Sequence, residues 1–173
     1  DKATLPALQV KALLNECRAP WTTQRTTSFS LRLRELADLT LGHLTAGELQ
    51  GVFIQPTWVQ CASLPTPFHP VFALLEANAR RDHAAMEKLG REWLAHPPEV
   101  AALRNDFTPL ALSSVLYSLG HQNRWNDLLQ ASQDYGPAVK LDSNQAMGLR
   151  LLVAVAENRV VGHEAPRKRV FER

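Results

Sequence analysis

The stretch TPLALSSVLYSLGHQNRW, residues 108–125, decides the fold, because residues 143–160 repeat its pattern 35 positions later. At this offset small or apolar residues align with small or apolar ones, and Asn123-Arg124 aligns with Asn158-Arg159. A period of this length is typical of helical hairpins, which bury their apolar faces by stacking on neighbouring hairpins. The sequence therefore predicts an all-α fold of antiparallel helical hairpins stacked as a short α-solenoid.

The first copy has the pattern of one helical hairpin. Its first helix opens with Thr108 as N-cap and Pro109 at the first helical position. After a turn at residues 120–123, Trp125 begins a second helix, which Gly136-Pro137 ends. Four apolar residues of the first helix have the i, i+3, i+4, i+7 spacing of one face, namely Leu112, Val115, Leu116 and Leu119.

A third helix follows, with Asp142 or Ser143 as its cap. Its stretch from residue 149 to 156 is apolar nearly all round, apart from Arg150. A helix of this kind packs between neighbours, so we expect it to be buried on more than one side.

An earlier and less regular copy lies upstream, with helices at residues 71–79 and 82–95 joined by an Arg-Arg-Asp turn. Aligning His83 with Trp125 requires an offset of 42 instead of 35. The difference predicts a longer linker, residues 99–107, between the two units.

Residues 124–129 (RWNDLL), followed by residues 135–137 (YGP), by Asp142 and by a fresh apolar helix, resemble a pentatricopeptide repeat. The tetratricopeptide repeat is its close relative. The resemblance covers about residues 108–160, or 71–160 with the irregular copy, and helical hairpins share the pattern widely.

The resemblance implies RNA binding, because each pentatricopeptide repeat reads one base of single-stranded RNA with two or three side chains. Carried over by position, the base-reading place in the first helix falls on Ser113 and then on Gly148, and the place at the repeat junction falls on Asp142 or Ser143. Gly148 departs from the family pattern, since it has no side chain with which to read a base.

Basic residues are sparse inside the repeats and concentrated at the end of the chain. Arg150 is the basic residue within the repeated helices, and Arg124 and Arg159 fall at predicted turns. The formal net charge is +2, and the part after residue 157 alone carries +3. The tail Arg167, Lys168 and Arg169 is a candidate phosphate contact, because clustered cations neutralise a polyanion and release its counterions. Its alternative interpretation is a solvated, frayed terminus.

The N-terminal part is expected to form a helical cap, residues 1–62, which ends at a Pro-rich linker, residues 63–70, ahead of the repeat region, residues 71–173. Stripes predict helices at residues 8–17 and 29–40, and Thr45 with Glu48 predicts a capping box. The polar segment 20–27 is either a connector or a binding loop. Trp21 and Trp58 lie outside the stripes and are candidate partner-binding anchors, with a structural role as the alternative.

Catalytic and metal-binding patterns are weak. Cys17 and Cys61 lack zinc-ligand spacing, and they are interpreted as two buried thiols or, alternatively, as a disulfide. His83 and Glu87 share a helix face at i, i+4 and lack a third ligand or a nucleophile. The eight glycines are isolated, so no phosphate-binding loop is formed. We therefore expect neither metal nor cofactor, and no enzymatic activity.

Two hypotheses about function remain. The first is a non-enzymatic scaffold subunit of a larger assembly, bound to its protein subunits and to RNA, and the resemblance implies an organellar, mitochondrial ribonucleoprotein such as a ribosome or an RNA-processing complex. The second is a cytoplasmic adaptor or chaperone of tetratricopeptide type, which binds a protein or peptide without RNA.

No apolar run approaches the ~20 residues that cross a bilayer, so membrane insertion is not expected. The sequence carries no signal-peptide pattern, which leaves the compartment open because the chain begins at Asp1 instead of Met.

Overall fold

The computed structural model of the chain describes residues 4–16, 20–43 and 65–161, and within these ranges it contains helices and no strand. The α-helices are α1 (Thr4–Glu16), α2 (Thr23–His43), α3 (His69–Arg80), α4 (His83–Ala95), α5 (Ala101–His121), α6 (Trp125–Tyr135) and α7 (Ser143–Val161). Short 3₁₀ helices, η1 (Thr66–Phe68) and η2 (Gly136–Ala138), precede α3 and follow α6. The all-α class is confirmed for these ranges, and stacking into a solenoid stays a prediction.

The chain divides into two compact units. The first unit comprises Asp1–Asp82 and His96–Phe107, and the second comprises His83–Ala95 and Thr108–Arg173. Helix α5 contributes residues to both units, since it runs through Phe107 and Thr108 without a break.

An aromatic cluster forms the core of the first unit. Phe29 of α2 and Phe68 of η1 are fully buried and meet edge to face, with ring centroids 5.1 Å apart. The ring of Trp21 lies 5.1 Å from that of Phe29 and 5.7 Å from that of Phe68. Buried leucines of α1, α2 and α3 complete this core, namely Leu13, Leu33, Leu36, Leu74 and Leu75.

A polar pair joins α2 to the first turns of α5 within the first unit. Ser30 Oγ donates a 2.6 Å hydrogen bond to Asp106 Oδ2, and the guanidinium of Arg34 lies 4.0 Å from Asp106 Oδ1. The Asp106 side chain is only 10% exposed. The hydrogen bond and the nearby positive charge compensate for its lost hydration.

Helices α5, α6 and α7 share the core of the second unit. The face predicted on α5 is buried, as are residues of α6 and α7 that pack against it: Leu112, Val115, Leu116, Leu119, Leu128, Ala131, Leu149 and Ala156. Trp93 of α4 is also buried, and its indole Nε1 donates a 3.1 Å hydrogen bond to Thr108 Oγ1.

The same turn follows α3 and α5. Arg81 and Asn123 both take the left-handed conformation, with φ of 54° and 57°. In each turn the N–H of that residue and of its successor donate to carbonyls three and five residues earlier, which is the Schellman arrangement. The two turns are 42 residues apart, as are the starts of α4 and α6 and the starts of α5 and α7. The starts of α4 and α5 therefore recur after 42 residues, which is the offset that aligned His83 with Trp125 in the sequence, whereas the offset of 35 does not relate the starts of α5 and α7.

The start of α5 corrects the predicted linker at residues 99–107. The helix begins at Ala101, so Thr108 and Pro109 lie inside it instead of at its N-terminus. Leu103 and Phe107 are buried and extend the apolar face upstream. Their burial outweighs the cost of a proline in a helix interior, about 3 kcal/mol. In the same way Asn158-Arg159, expected in a turn, lies within α7.

Two N-terminal expectations also change. Thr22 Oγ1 accepts a 3.2 Å hydrogen bond from the N–H of Arg25 and caps α2, so Thr23–Thr27 form helix instead of the predicted loop. The segment 63–70 was expected to be a linker, yet η1 forms there and Pro70 lies in the first turn of α3. Proline is tolerated at that place because the first N–H groups of a helix have no intrahelical acceptor.

We expect Gly90→Ala to lower the free energy of unfolding by about 1–2 kcal/mol, even though alanine favours helix over glycine by about 1 kcal/mol. A Cβ at Gly90 of α4 would lie 2.8 Å from the carbonyl oxygen of Ala111 and 2.7 Å from Val115 Cγ2. Because one of these atoms belongs to the backbone of α5, the two helices must move apart. Urea unfolding followed by circular dichroism measures the change.

Gly148→Ala is the matched control in α7, since its Cβ would meet only the hydroxyl of Tyr117, at 3.7 Å. Here we expect a gain of up to about 1 kcal/mol from helix propensity. A Gly90→Ala protein as stable as the parent would contradict the close contact between α4 and α5.

Candidate protein-interaction surface

Helix α7 exposes much of the apolar stretch that was expected to be buried on more than one side. Leu149 and Ala156 are buried against the core of the second unit. Met147 is 68% exposed, Leu151 is 62% exposed and Val155 is 40% exposed. Residues four apart lie on one side of a helix, so these three side chains form a continuous stripe away from the core. The expected burial is wrong, because the described elements of this unit pack against one side of α7 only.

Tyr117 of α5 extends this stripe. The side chain is 44% exposed, and its hydroxyl lies 3.7 Å from the place where a Cβ on Gly148 would stand. The Tyr117 hydroxyl therefore lies next to α7 at Gly148. We call the surface formed by Tyr117, Met147, Leu151 and Val155 the α7 face.

Charged residues line one edge of the α7 face. Arg150 is exposed and Glu157 is half-buried, and they are seven residues apart. A separation of seven residues equals two helical turns to within about 20° of rotation, so both side chains project from the same edge of α7. Among the described residues, neither takes part in an ion pair.

The residues carried over from the pentatricopeptide pattern have local roles. Asp142 Oδ1 accepts a 2.9 Å hydrogen bond from the N–H of Gln145, and Gln145 Oε1 accepts a 3.2 Å bond from the N–H of Asp142. This reciprocal pair is a capping box, so the predicted cap at Asp142 is confirmed. Ser143 begins α7 and is exposed. Ser113 Oγ donates a 2.9 Å hydrogen bond to the carbonyl of Pro109 on its own helix.

The turn after α5 carries an ion-pair network. The guanidinium of Arg124 lies 2.6 Å from the carboxylate of Glu87 and 2.7 Å from that of Asp127. Glu87 also pairs with Arg91 at 3.0 Å. The hydrogen bond that Arg124 donates to Asp127 and the negative charge of Glu87 raise the pKa of Arg124. An open cleft beside this turn includes Arg159, and Arg124 adds little positive potential to it because two carboxylates neutralise its charge.

His83 and Glu87 each contact other side chains. The His83 ring stacks on that of His121, with centroids 4.3 Å apart and planes inclined by 19°, while Glu87 binds the two arginines. In the part of the chain that the structure describes, no group of three His, Cys, Asp or Glu side chains is placed to hold a metal ion.

Trp21 is half-buried in the aromatic cluster of the first unit, and the guanidinium of Arg25 lies 5.6 Å from its ring centroid. These contacts favour the structural alternative for Trp21. Several predicted residues lie outside the described ranges: Trp58, Arg167, Lys168, Arg169, Cys17, Cys61, Thr45 and Glu48.

Comparison with protein families, curated proteins and solved structures finds no match to this chain. Among the described helices, none combines the length and apolar character needed to span a bilayer.

Proposed function

We propose that this chain is a non-enzymatic helical scaffold subunit that holds a protein partner on its α7 face. The observation that carries the proposal is the exposed stripe of Met147, Leu151 and Val155 beside Tyr117. Apolar side chains scattered singly over a surface are normal, whereas a contiguous stripe is typical of interaction sites. Burying these side chains against a partner removes their apolar area from water, at about 25 cal/mol per Å².

The shape of the surface favours a helix as the bound element. An amphipathic helix binds through side chains spaced at i, i+3, i+4 and i+7, and the α7 face offers it a matching row of apolar side chains at i, i+4 and i+8, namely Met147, Leu151 and Val155. Because α7 is capped by the Asp142 and Gln145 box and anchored through Leu149 and Ala156, the face is already formed before the partner arrives. A preformed surface reduces the entropy lost on binding.

Direct reading of RNA bases has less support than protein binding. The Ser113 hydroxyl is bonded to its own helix, Asp142 serves as a cap and Arg124 is neutralised by two carboxylates. The resemblance implies a mitochondrial ribonucleoprotein. In such an assembly we propose that RNA contacts a surface other than the α7 face. Ribonuclease treatment of the purified assembly tests this, since a contact between proteins survives it.

Site-specific photo-crosslinking tests the proposed function. The photoreactive amino acid p-benzoylphenylalanine replaces Leu151 in the full chain, in cells that normally make it, and mass spectrometry identifies the adducts. We expect a protein adduct from position 151, because this side chain is 62% exposed at the centre of the stripe. Adding Met147→Glu, which places a charge in the same contact, should remove the adduct.

The matched control carries the same photoreactive residue at Gln133, an exposed position on α6 in the same unit. Equal adducts from positions 133 and 151, or none from 151, would contradict a docking role for the α7 face.

A further inference from the structure

Building on the proposed function, we propose that the partner on the α7 face is a second copy of this chain, whose own α7 packs antiparallel to the first. The α7 sequence carries reciprocal contacts for this arrangement on both edges of the face. The inference goes further than the proposed function, since a scaffold can also bind an unrelated protein.

The exposed side of α7 has the heptad pattern of a short coiled coil. With Met147 and Ala154 at d positions, Leu151 and Asn158 fall at a positions. Ala154 is small and half-buried, so two helices can approach closely at the middle of the face. Asn158 falls at the other a position and is half-buried, with its Oδ1 covered within the monomer.

The antiparallel register pairs each a residue with a d residue of the other helix. A twofold axis perpendicular to α7, between Leu152 and Val153, places Leu151 beside Ala154 of the partner subunit and Met147 beside Asn158 of the partner subunit. All four residues then contribute to one continuous contact, and the same surface serves both copies.

The charged edge supports this register independently. Arg150 and Glu157 both occupy g positions, and in an antiparallel pair g residues face g residues. The register that pairs Leu151 with Ala154 of the partner subunit also brings the g positions 150 and 157 of the two copies opposite each other. Arg150 therefore meets Glu157 of the partner subunit, and the twofold axis repeats the pair.

The parallel orientation lacks this complementarity. There a g residue faces the e residue five positions later on the other helix, so Arg150 would meet Val155 of the partner subunit. A guanidinium beside an apolar side chain gains no ion pair, and the pattern of charges consequently selects the antiparallel arrangement.

The opposite edge is also reciprocal. Gly148 and Val155 occupy e positions, and the antiparallel register brings Val155 of the partner subunit over Gly148. The Tyr117 hydroxyl lies next to Gly148 and its side chain is 44% exposed, so Tyr117 would contact the incoming valine. This contact uses the one side chain of α5 that belongs to the α7 face.

Sedimentation equilibrium of the full chain, over about 1–100 µM, tests the inference, because short two-helix interfaces of this size form weak dimers. We expect a reversible monomer–dimer equilibrium. Leu151→Glu should weaken it at least about tenfold, since it places a charge in the apolar contact. Leu31→Glu is the matched control, because Leu31 of α2 is 47% exposed and lies outside the α7 face, and it should leave the equilibrium unchanged.

Charge exchange tests the antiparallel register. Arg150→Glu and Glu157→Arg should each weaken the dimer about tenfold, because each variant creates like-charge contacts at both reciprocal pairs. The double variant R150E/E157R restores opposite charges and should return the dissociation constant to within about threefold of the parent. Circular dichroism of the variants, whose substituted side chains lie outside the core of the monomer, verifies that they remain folded.

Three results would each overturn the inference. They are a monomer at every concentration, a dimer whose dissociation constant is unchanged by Leu151→Glu, and a double variant whose dimer is as weak as those of the single variants. A monomer that still yields a crosslink from position 151 to a different protein overturns the dimer while leaving the proposed function intact. Absence of both self-association and crosslinking contradicts both proposals.

Discussion

Leu116→Asp is expected to unfold the second unit at room temperature. Leu116 is 1% exposed and lies in the core that α5, α6 and α7 share. The aspartate removes the apolar contacts of a leucine, which cost about 2–5 kcal/mol, and adds an unpaired carboxylate to an apolar site. Because a domain of this size is stable by only about 5–15 kcal/mol, the two terms together consume most of that margin. Loss of the helical circular dichroism signal and of a cooperative melting transition measures the effect.

Leu151→Asp is the matched control for this prediction. It makes the same chemical change in the same unit, at a side chain that is 62% exposed. At low protein concentration we expect its melting temperature to stay within a few degrees of the parent, as for most surface substitutions. Similar melting of the Leu116→Asp and parent proteins would contradict the buried face assigned to α5.

Phe29→Ala is expected to lower the free energy of unfolding by about 3–5 kcal/mol. Phe29 is fully buried and meets the rings of both Trp21 and Phe68, each at 5.1 Å. Its removal leaves a cavity and also ends two edge-to-face contacts, each of which contributes about 0.5–1.5 kcal/mol beyond the buried area. Urea unfolding followed by circular dichroism measures the loss.

The control is Leu31→Ala, two residues along α2, where the leucine is 47% exposed. We expect a change of about 0.5 kcal/mol or less at this position. A Phe29→Ala protein that unfolds at the same urea concentration as the Leu31→Ala protein would contradict an aromatic core in the first unit.

Helices with a strong local signal were predictable from sequence. The stripe that includes Leu112 and Leu116 is buried as its spacing indicated, and Asp142 caps α7 as its position before an apolar run indicated. Gly136 follows the last residue of α6, where it was expected to end that helix. In these places one local interaction dominates, so a short window of sequence is sufficient.

The start of α5 was not predictable in this way because two signals compete. Thr108 and Pro109 have the chemistry of a helix N-terminus, whereas Leu103 and Phe107 continue the apolar spacing upstream. Only tertiary burial decides between them, and both apolar side chains are buried. A proline marks a helix boundary reliably only where the apolar spacing of the helix does not continue on both sides of it.

The candidate site was missed because composition alone does not distinguish a buried apolar helix from an exposed one. The apolar run of α7 suggested neighbours on several sides, and the structure places Met147 and Leu151 outward. A signal was available in the sequence, since Arg150 and Glu157 mark one edge at a seven-residue spacing. A fully buried helix seldom carries unpaired charges, so these residues indicated an edge in contact with water.

The hydrogen bond from Ser30 to Asp106 joins residues that are 76 positions apart, and residues 83–95 between them belong to the other unit. During synthesis on the ribosome, α4 is therefore made before residues 96–107, the last segment of the first unit. Ser30 stays without its carboxylate partner until synthesis has passed residue 106, so the first unit cannot be completed strictly in order. For the same reason no single continuous fragment of the chain contains one unit alone, and truncation at any point between residues 83 and 107 removes part of both.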